Sequence, residues 1–191
     1  MPGTNLNGTN LNFSTRKGIN MKTIAILIEN MFDDRELIYP YFRMQEEGYE
    51  VHLLGSKKDT VYTSKAGLEE KSTHATSEVS ADDYDALIIP GGFSPDYMRR
   101  TKATVDFVKA MNEQRKLIGA ICHAPWMLAS ADAIKGKQVT SFYSIKDDLI
   151  NAGAEWLDLE VVVDGNIVTS RSPKDLPIFL KTIIERLEMP A

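Results

Sequence analysis

Three short apolar runs limit what this chain can fold into: Lys22-Thr23-Ile24-Ala25-Ile26-Leu27-Ile28, Ala86-Leu87-Ile88-Ile89 and Lys116-Leu117-Ile118-Gly119-Ala120-Ile121. None alternates apolar with polar residues as a half-exposed strand does. Apolar runs of this length, bounded by polar residues, predict strands covered on both faces, as in a parallel sheet. Helical patterns fall between them. One runs from about Arg35 to Glu47 with Gly48 as its C-cap, and another places Val105, Val108 and Met111 on one face. Glu50 to Leu54 reads as a further strand, Val61 to Lys71 as an irregular hairpin turning near Gly67, and Val139 to Phe142 as another short strand. A helix is predicted across His123 to Ser130, and another ending near Gly153. The Asp164-Gly165 pair marks the turn of a small C-terminal hairpin, and a last amphipathic helix is predicted over Pro173 to Leu187. Strands alternating with helices predict an α/β fold, doubly wound, with a mainly parallel sheet and helices on both faces.

A chain of 191 residues is long enough for one well-buried core and too short to expect two. Its net charge of -5, with scattered basic residues, gives no reason to expect nucleic acid as a partner. No stretch approaches the ~20 apolar residues of a membrane span. The single cysteine cannot form an intrachain disulfide, so a cytoplasmic location is expected. Residues 1–20 differ from the rest: Gly3-Thr4-Asn5-Leu6-Asn7 is repeated at once as Gly8-Thr9-Asn10-Leu11-Asn12. We read them as a flexible leader, with the globular domain covering residues 21–191.

That cysteine, Cys122, ends an apolar run and is flanked by small residues, Ala120 and Ala124, and by His123. A strand that turns sharply into a helix needs small neighbours, because the two backbones approach closely at the bend. Cys122 is therefore the candidate nucleophile, and a place at a helix N-terminus is expected to favour its thiolate. Ligands in such folds collect at the carboxyl ends of the strands, so three loops should converge: Glu29–Glu36, Pro90–Asp96 and Cys122–Trp126. His52 and His74 read as structural or surface residues, and the histidine spacing predicts no metal site.

The three loops together resemble the ThiJ/PfpI family of intracellular cysteine hydrolases, within the class I glutamine amidotransferase-like superfamily. The matching pieces are Phe32 to Pro40, Ile88 to Asp96, Ala120 to Pro125, Ser144 to Ala154 and Val168 to Arg171, in order over about residues 22–188. The resemblance implies a flavodoxin-like fold with Cys122 as nucleophile and Glu36 as the acid beside it, Asp33 matching a neighbouring acidic position. It places an oxyanion site at the backbone N–H groups of Gly92 and His123. It also implies that a neighbouring subunit contributes a carboxylate at the position of Asp96, in a homodimer or larger homo-oligomer. Three residues depart from the family pattern: Ala124 where glycine is usual, Asp96 where archaeal peptidase-like members have glutamate, and Phe142 where some have tyrosine.

Each residue also has its own chemistry. Glu36 next to a thiolate is expected to be protonated, since like charges at close range do not both ionise cheaply. Gly91 and Gly92, after a buried strand and a proline, permit the close backbone approach that an oxyanion site needs. His123 is a candidate proton carrier. The expected function is cysteine-based hydrolysis, without a cofactor, of small dicarbonyls and their glycated adducts or of peptides. The alternative is a non-enzymatic redox or stress sensor whose Cys122 is oxidised to the sulfinic acid. Gly91-Gly92 lacks the spacing of a dinucleotide-binding turn. Glutamine amidotransferase activity is not expected, because residues 131–191 contain no histidine.

Overall fold

The apolar runs sit side by side at the centre of a seven-stranded sheet. A computed structural model describes residues 21–189, so the expected leader at 1–20 lies outside the described residues. The chain runs β1 (Thr23–Leu27), α1 (Asp34–Glu46), β2 (Glu50–Gly55), β3 (Val61–Thr63), β4 (Glu69–Lys71), β5 (His74–Ala75), β6 (Ala86–Ile89), α2 (Ser94–Met98) and α3 (Lys102–Glu113). It continues through β7 (Leu117–Ile121), α4 (Pro125–Ser130), β8 (Gln138–Val139), α5 (Lys146–Asn151), β9 (Glu155–Trp156), β10 (Val161–Asp164), β11 (Ile167–Ser170) and α6 (Leu176–Glu188). The sheet order is β10-β11-β7-β6-β1-β2-β5, and every pairing is parallel except β10 with β11.

Both faces of the sheet are covered, which is why its strands read as unbroken apolar runs. Ala25 and Leu27 of β1, with Leu87 and Ile89 of β6, pack towards Phe107, Val108 and Met111 of α3 and Met127 and Leu128 of α4. The alternate residues Ile24, Ile26 and Ile88 pack towards Leu37 and Met44 of α1 and Phe179, Leu180 and Ile183 of α6. Order reverses at β1, with β2 on one side and β6 and β7 on the other. The carboxyl ends of β1, β6 and β7 therefore open into one crevice at the switch point.

Local signals set the ends of α1. Asp33 is its N-cap and accepts from the Arg35 N–H at 3.0 Å. Gly48, at φ 84, donates to the Gln45 carbonyl while Tyr49 donates to Met44, a Schellman closure.

Two expectations change. The strand expected over Val139 to Phe142 stops at Val139 and pairs with β9 in a separate ladder; the Phe142 N–H goes to the Cys122 carbonyl at 2.9 Å instead. The helix expected from His123 begins at Pro125. The expected C-terminal hairpin forms, and β11 also pairs in parallel with β7, which makes β10 the sheet edge. α2 and β5 were not foreseen, being five and two residues long, too short for a periodic pattern.

Candidate active site

Cys122 is the first residue after β7 and lies at φ 62, a left-handed conformation that non-glycine residues rarely adopt. It is held there from both sides. Its N–H donates to the Ser170 carbonyl at 3.0 Å, and its carbonyl accepts from Phe142. Ala120 and Ala124 beside it are fully buried. Ala124 has ordinary helical dihedrals, φ -58 and ψ -31, so a methyl group at a position usually glycine costs the bend nothing. The residue is 8% exposed, so the crevice leaves it only a small opening.

The turn after β6 brings backbone against the sulfur. The Gly92 and His123 N–H groups lie close enough to the sulfur to lower its pKa. A side chain on Gly91 would stand 2.6 Å from Glu36 Oε2, 2.7 Å from Cys122 Cβ and 2.9 Å from the His123 nitrogen. One on Gly92, at φ 67, would meet the Asp33 nitrogen and the Met31 carbonyl at 2.5 Å. Both glycines are thus required by close approach, and Gly92 by its conformation as well.

Glu36 comes from the first turn of α1 and is wholly buried against the thiol. Its Oε2 accepts from the Gly91 N–H at 2.7 Å, while among the described residues Oε1 has no partner of ordinary hydrogen-bond geometry. A buried carboxylate oxygen without a donor is costly, and a proton on the carboxyl relieves that cost. Burial, with the nearby Asp33 charge added, pushes Glu36 up to about 7.

Asp33, three residues earlier, behaves oppositely. Burial alone would raise it, but hydrogen bonds and charge from Arg35 and Lys65 hold it below the ordinary carboxylate range. Lys65 Nζ lies 2.6 Å and Arg35 Nη2 3.0 Å from Asp33 Oδ2. Asp33 therefore caps α1 and anchors two cations at the site's edge.

The thiol departs from expectation. Burial first, and then the Glu36 charge, push Cys122 above the ordinary thiol range, and the Gly92 and His123 N–H groups only partly offset them. α4 is a six-residue helix beginning three residues beyond the sulfur, too short and too far to hold a thiolate by its dipole. The resting pair is a thiol beside a carboxyl that titrates near neutrality.

His123 is the second proton acceptor at the sulfur, with Nδ1 3.3 Å from Sγ. Its Nε2 lies 3.1 Å from Ser144 Oγ. The ring stacks on Phe142, centroids 5.1 Å apart, and meets the edge of Trp126 at 5.2 Å. Burial, with the Lys65 charge added, lowers its pKa, so the ring is neutral at pH 7.

Of the residues expected at the site, Cys122, His123, Glu36, Gly91 and Gly92 meet at one point, and Asp33 flanks them. Asp96 does not join them within the chain: it sits in α2 and pairs with Arg100 one turn on. Sequence reasoning missed Lys65, Ser144 and the stacking role of Phe142. Lys65 lies on the β3–β4 hairpin, and nothing local predicts that this hairpin folds over the mouth; its N–H bonds to the Phe32 carbonyl at 3.0 Å. Ser144 opens one of the matching segments, the available signal for it.

Comparison with known proteins follows this geometry. A model of the DJ-1/PfpI family matches residues 22–186. Deglycase PfpI of Pyrococcus furiosus is 43% identical over 165 residues, 86% of this chain and 99% of that protein. Putative cysteine protease YraA of Bacillus subtilis is 44% identical over 167 residues, 87% and 99% of the two chains. The chain also superposes on a two-domain protein of Anabaena variabilis with DJ-1/ThiJ/PfpI-like and ferritin-like domains. There the TM-score is 0.86 at 46% identity, over 87% of this chain and 48% of that one, so the match spans about half of the larger protein. Drosophila melanogaster DJ-1beta gives a TM-score of 0.83 at 26% identity, covering 88% and 91%. With most of its length matched by the family model and by relatives aligned end to end, this chain belongs to the DJ-1/PfpI family.

Proposed function

We propose that the protein is a cysteine-dependent enzyme acting on small 2-oxoaldehydes such as methylglyoxal, and on their reversible adducts with thiols and amines. One observation carries this reading: a strained, nearly enclosed thiol lies between two proton acceptors and under two converging backbone N–H groups. An aperture of 8% exposure admits an aldehyde more readily than an extended peptide. The relative from P. furiosus, named a deglycase, supports the same substrate class.

In the proposed reaction Sγ bonds to the aldehyde carbon while the thiol proton passes to the Glu36 carboxylate. The carbonyl oxygen becomes an oxyanion and accepts from the Gly92 and His123 N–H groups. His123 Nδ1 then takes the proton from that carbon and returns it to the neighbouring carbonyl carbon while Glu36 gives its proton to that carbonyl's oxygen, converting a 2-oxo hemithioacetal into a 2-hydroxy thioester. Water cleaves the thioester, releasing the 2-hydroxy acid and the thiol. Water is the only co-reactant the balance requires. Asp96 is proposed to serve a neighbouring subunit's site in a homo-oligomer.

The test compares wild type with Cys122→Ser, using methylglyoxal with lactate as readout and fluorogenic peptides in parallel. We expect wild type to form lactate and the variant to lose that activity by at least about 1,000-fold. Peptide cleavage lost on the same substitution, without lactate formation, would move the assignment to a peptidase. Unchanged activity in the variant would overturn the nucleophile assignment. No turnover of either substrate, with two oxygens gained selectively at Cys122 under graded peroxide, would make the protein a sensor.

A further inference from the structure

Beside Trp126 lies a cavity of about 500 Å³ that the chemistry above does not use. Its lining includes Arg99 from the turn after α2, Trp126 from α4, and Asp148 and Asn151 from α5. The Arg99 guanidinium sits 5.8 Å from the Trp126 ring centroid, and only its Nε is engaged, donating to Ser130 Oγ at 2.9 Å. Asp148 accepts from the Trp126 indole N–H at 2.8 Å through Oδ2. Arg99 and Asp148 line the same cavity, yet no ion pair within 4.0 Å joins them, and among the described residues neither is paired with any other charged side chain. A cation and an anion held apart across one small cavity are complementary to a ligand carrying both charges at fixed separation.

We propose that this cavity binds the α-amino-acid end of the substrate, with the carboxylate on Arg99 and the ammonium on Asp148. The inference rests on the reading of Cys122 as acting on 2-oxoaldehyde adducts. The Trp126 ring is shared: it walls the cavity and lies 5.2 Å from the His123 ring at the thiol. An amino acid whose side chain carries the adduct must place its two charges in the cavity and reach past Trp126 to Cys122. Within a protein chain a residue has neither a free carboxylate nor a free ammonium. The cavity therefore selects adducts of free amino acids over adducts on intact proteins.

Binding and turnover are tested separately on the full-length protein. The binding probes are L-norleucine, N-acetyl-L-norleucine and L-norleucinamide, titrated by calorimetry against Cys122→Ser. We expect norleucine to bind at least about tenfold more tightly than either blocked form, the loss of one charged contact. In Arg99→Met the preference over the amide disappears while that over the acetylated form remains; in Asp148→Asn, which retains an acceptor for the indole, the reverse holds. Equal binding of all three probes, or binding of none, overturns the proposal, and these wild-type-cavity comparisons do not depend on whether a variant folds.

Turnover uses methylglyoxal adducts of L-lysine, N-α-acetyl-L-lysine and L-lysinamide, with kcat/KM expected to follow the same order, chiefly through KM. Discrimination in binding without turnover of any adduct would refute the deglycase reading and leave the binding site standing. Equal turnover of all three would do the opposite.

Discussion

Two carboxyl groups three residues apart, Asp33 and Glu36, belong to one turn of one helix and are shifted in opposite directions. Asp33 is 2% exposed and Glu36 is not exposed at all, but Glu36 lies deeper among uncharged groups while Asp33 has cations beside it. Asp33 has Arg35 and Lys65 within hydrogen-bonding distance, and their attraction exceeds the desolvation cost. Glu36 faces a thiol and one backbone N–H, and the charge of Asp33 adds to its burden. The rim of the site is an ionic cluster; its floor is a protonated thiol beside a carboxyl that titrates near neutrality. A carboxylate's role here follows from what its neighbours can donate.

The largest blow to the floor is Gly91→Ala. The added methyl would overlap Glu36 Oε2, Cys122 Cβ and the His123 nitrogen at once, so lactate formation should fall by about 1,000-fold or more. Thermal unfolding should show whether the loss is local; a fully active variant would mean the floor is not closed as described.

Next is Glu36→Gln, which keeps the shape and removes the titration. Activity should drop by about 100-fold or more, with loss of the rise in rate through pH 7. Stability gives a second readout. Glu36 is raised from 4.5 to about 7 in the folded chain, so its stabilising contribution is complete below pH 4.5 and lost as pH rises through 7. At 1.36 kcal/mol per pH unit, wild type should lose on the order of 3 kcal/mol relative to the variant between pH 4.5 and 8. Parallel stability curves for the two proteins would place the proton elsewhere.

Asp33→Asn should have the opposite slope. The Asp33 pKa is lowered, so its contribution is present above pH 3.8 and disappears as pH falls through its folded value. The variant should be less stable than wild type at pH 7 by about 1 kcal/mol, from the lost ion pairs, since Asn caps a helix as well as Asp, and the gap should narrow as pH falls below 3.8. Chemical denaturation at a series of pH values from 7 downwards measures the difference.

The smallest effect is expected for Lys65→Met. Lys65 lowers both Glu36 and His123, so its loss should move the neutral limb of the pH–rate profile to higher pH, with less than about a tenfold change in kcat/KM at the optimum. A shift to lower pH would contradict the placement of Lys65 at the rim.

The sequence by itself determined the sheet and the bend. Continuous apolar runs require strands covered on both faces, Gly48 ends α1, and a cysteine between Ala120 and Ala124 at a strand end makes a tight elbow. Those features depend on residues within a few positions of one another. What only the tertiary structure decided depends on groups far apart in the chain. The thiol's protonation is the plainest case. Its expected place at a helix N-terminus favoured a thiolate, but burial and Glu36, 86 residues earlier, hold it as a thiol. The state of Asp33 is another, set by Lys65 on a hairpin whose docking no local pattern encodes. So are the stacking of Phe142 on His123 and the unpaired charges of Arg99 and Asp148. Desolvation and Coulomb energies are sums over neighbours in space, and those neighbours exist only once the chain has folded.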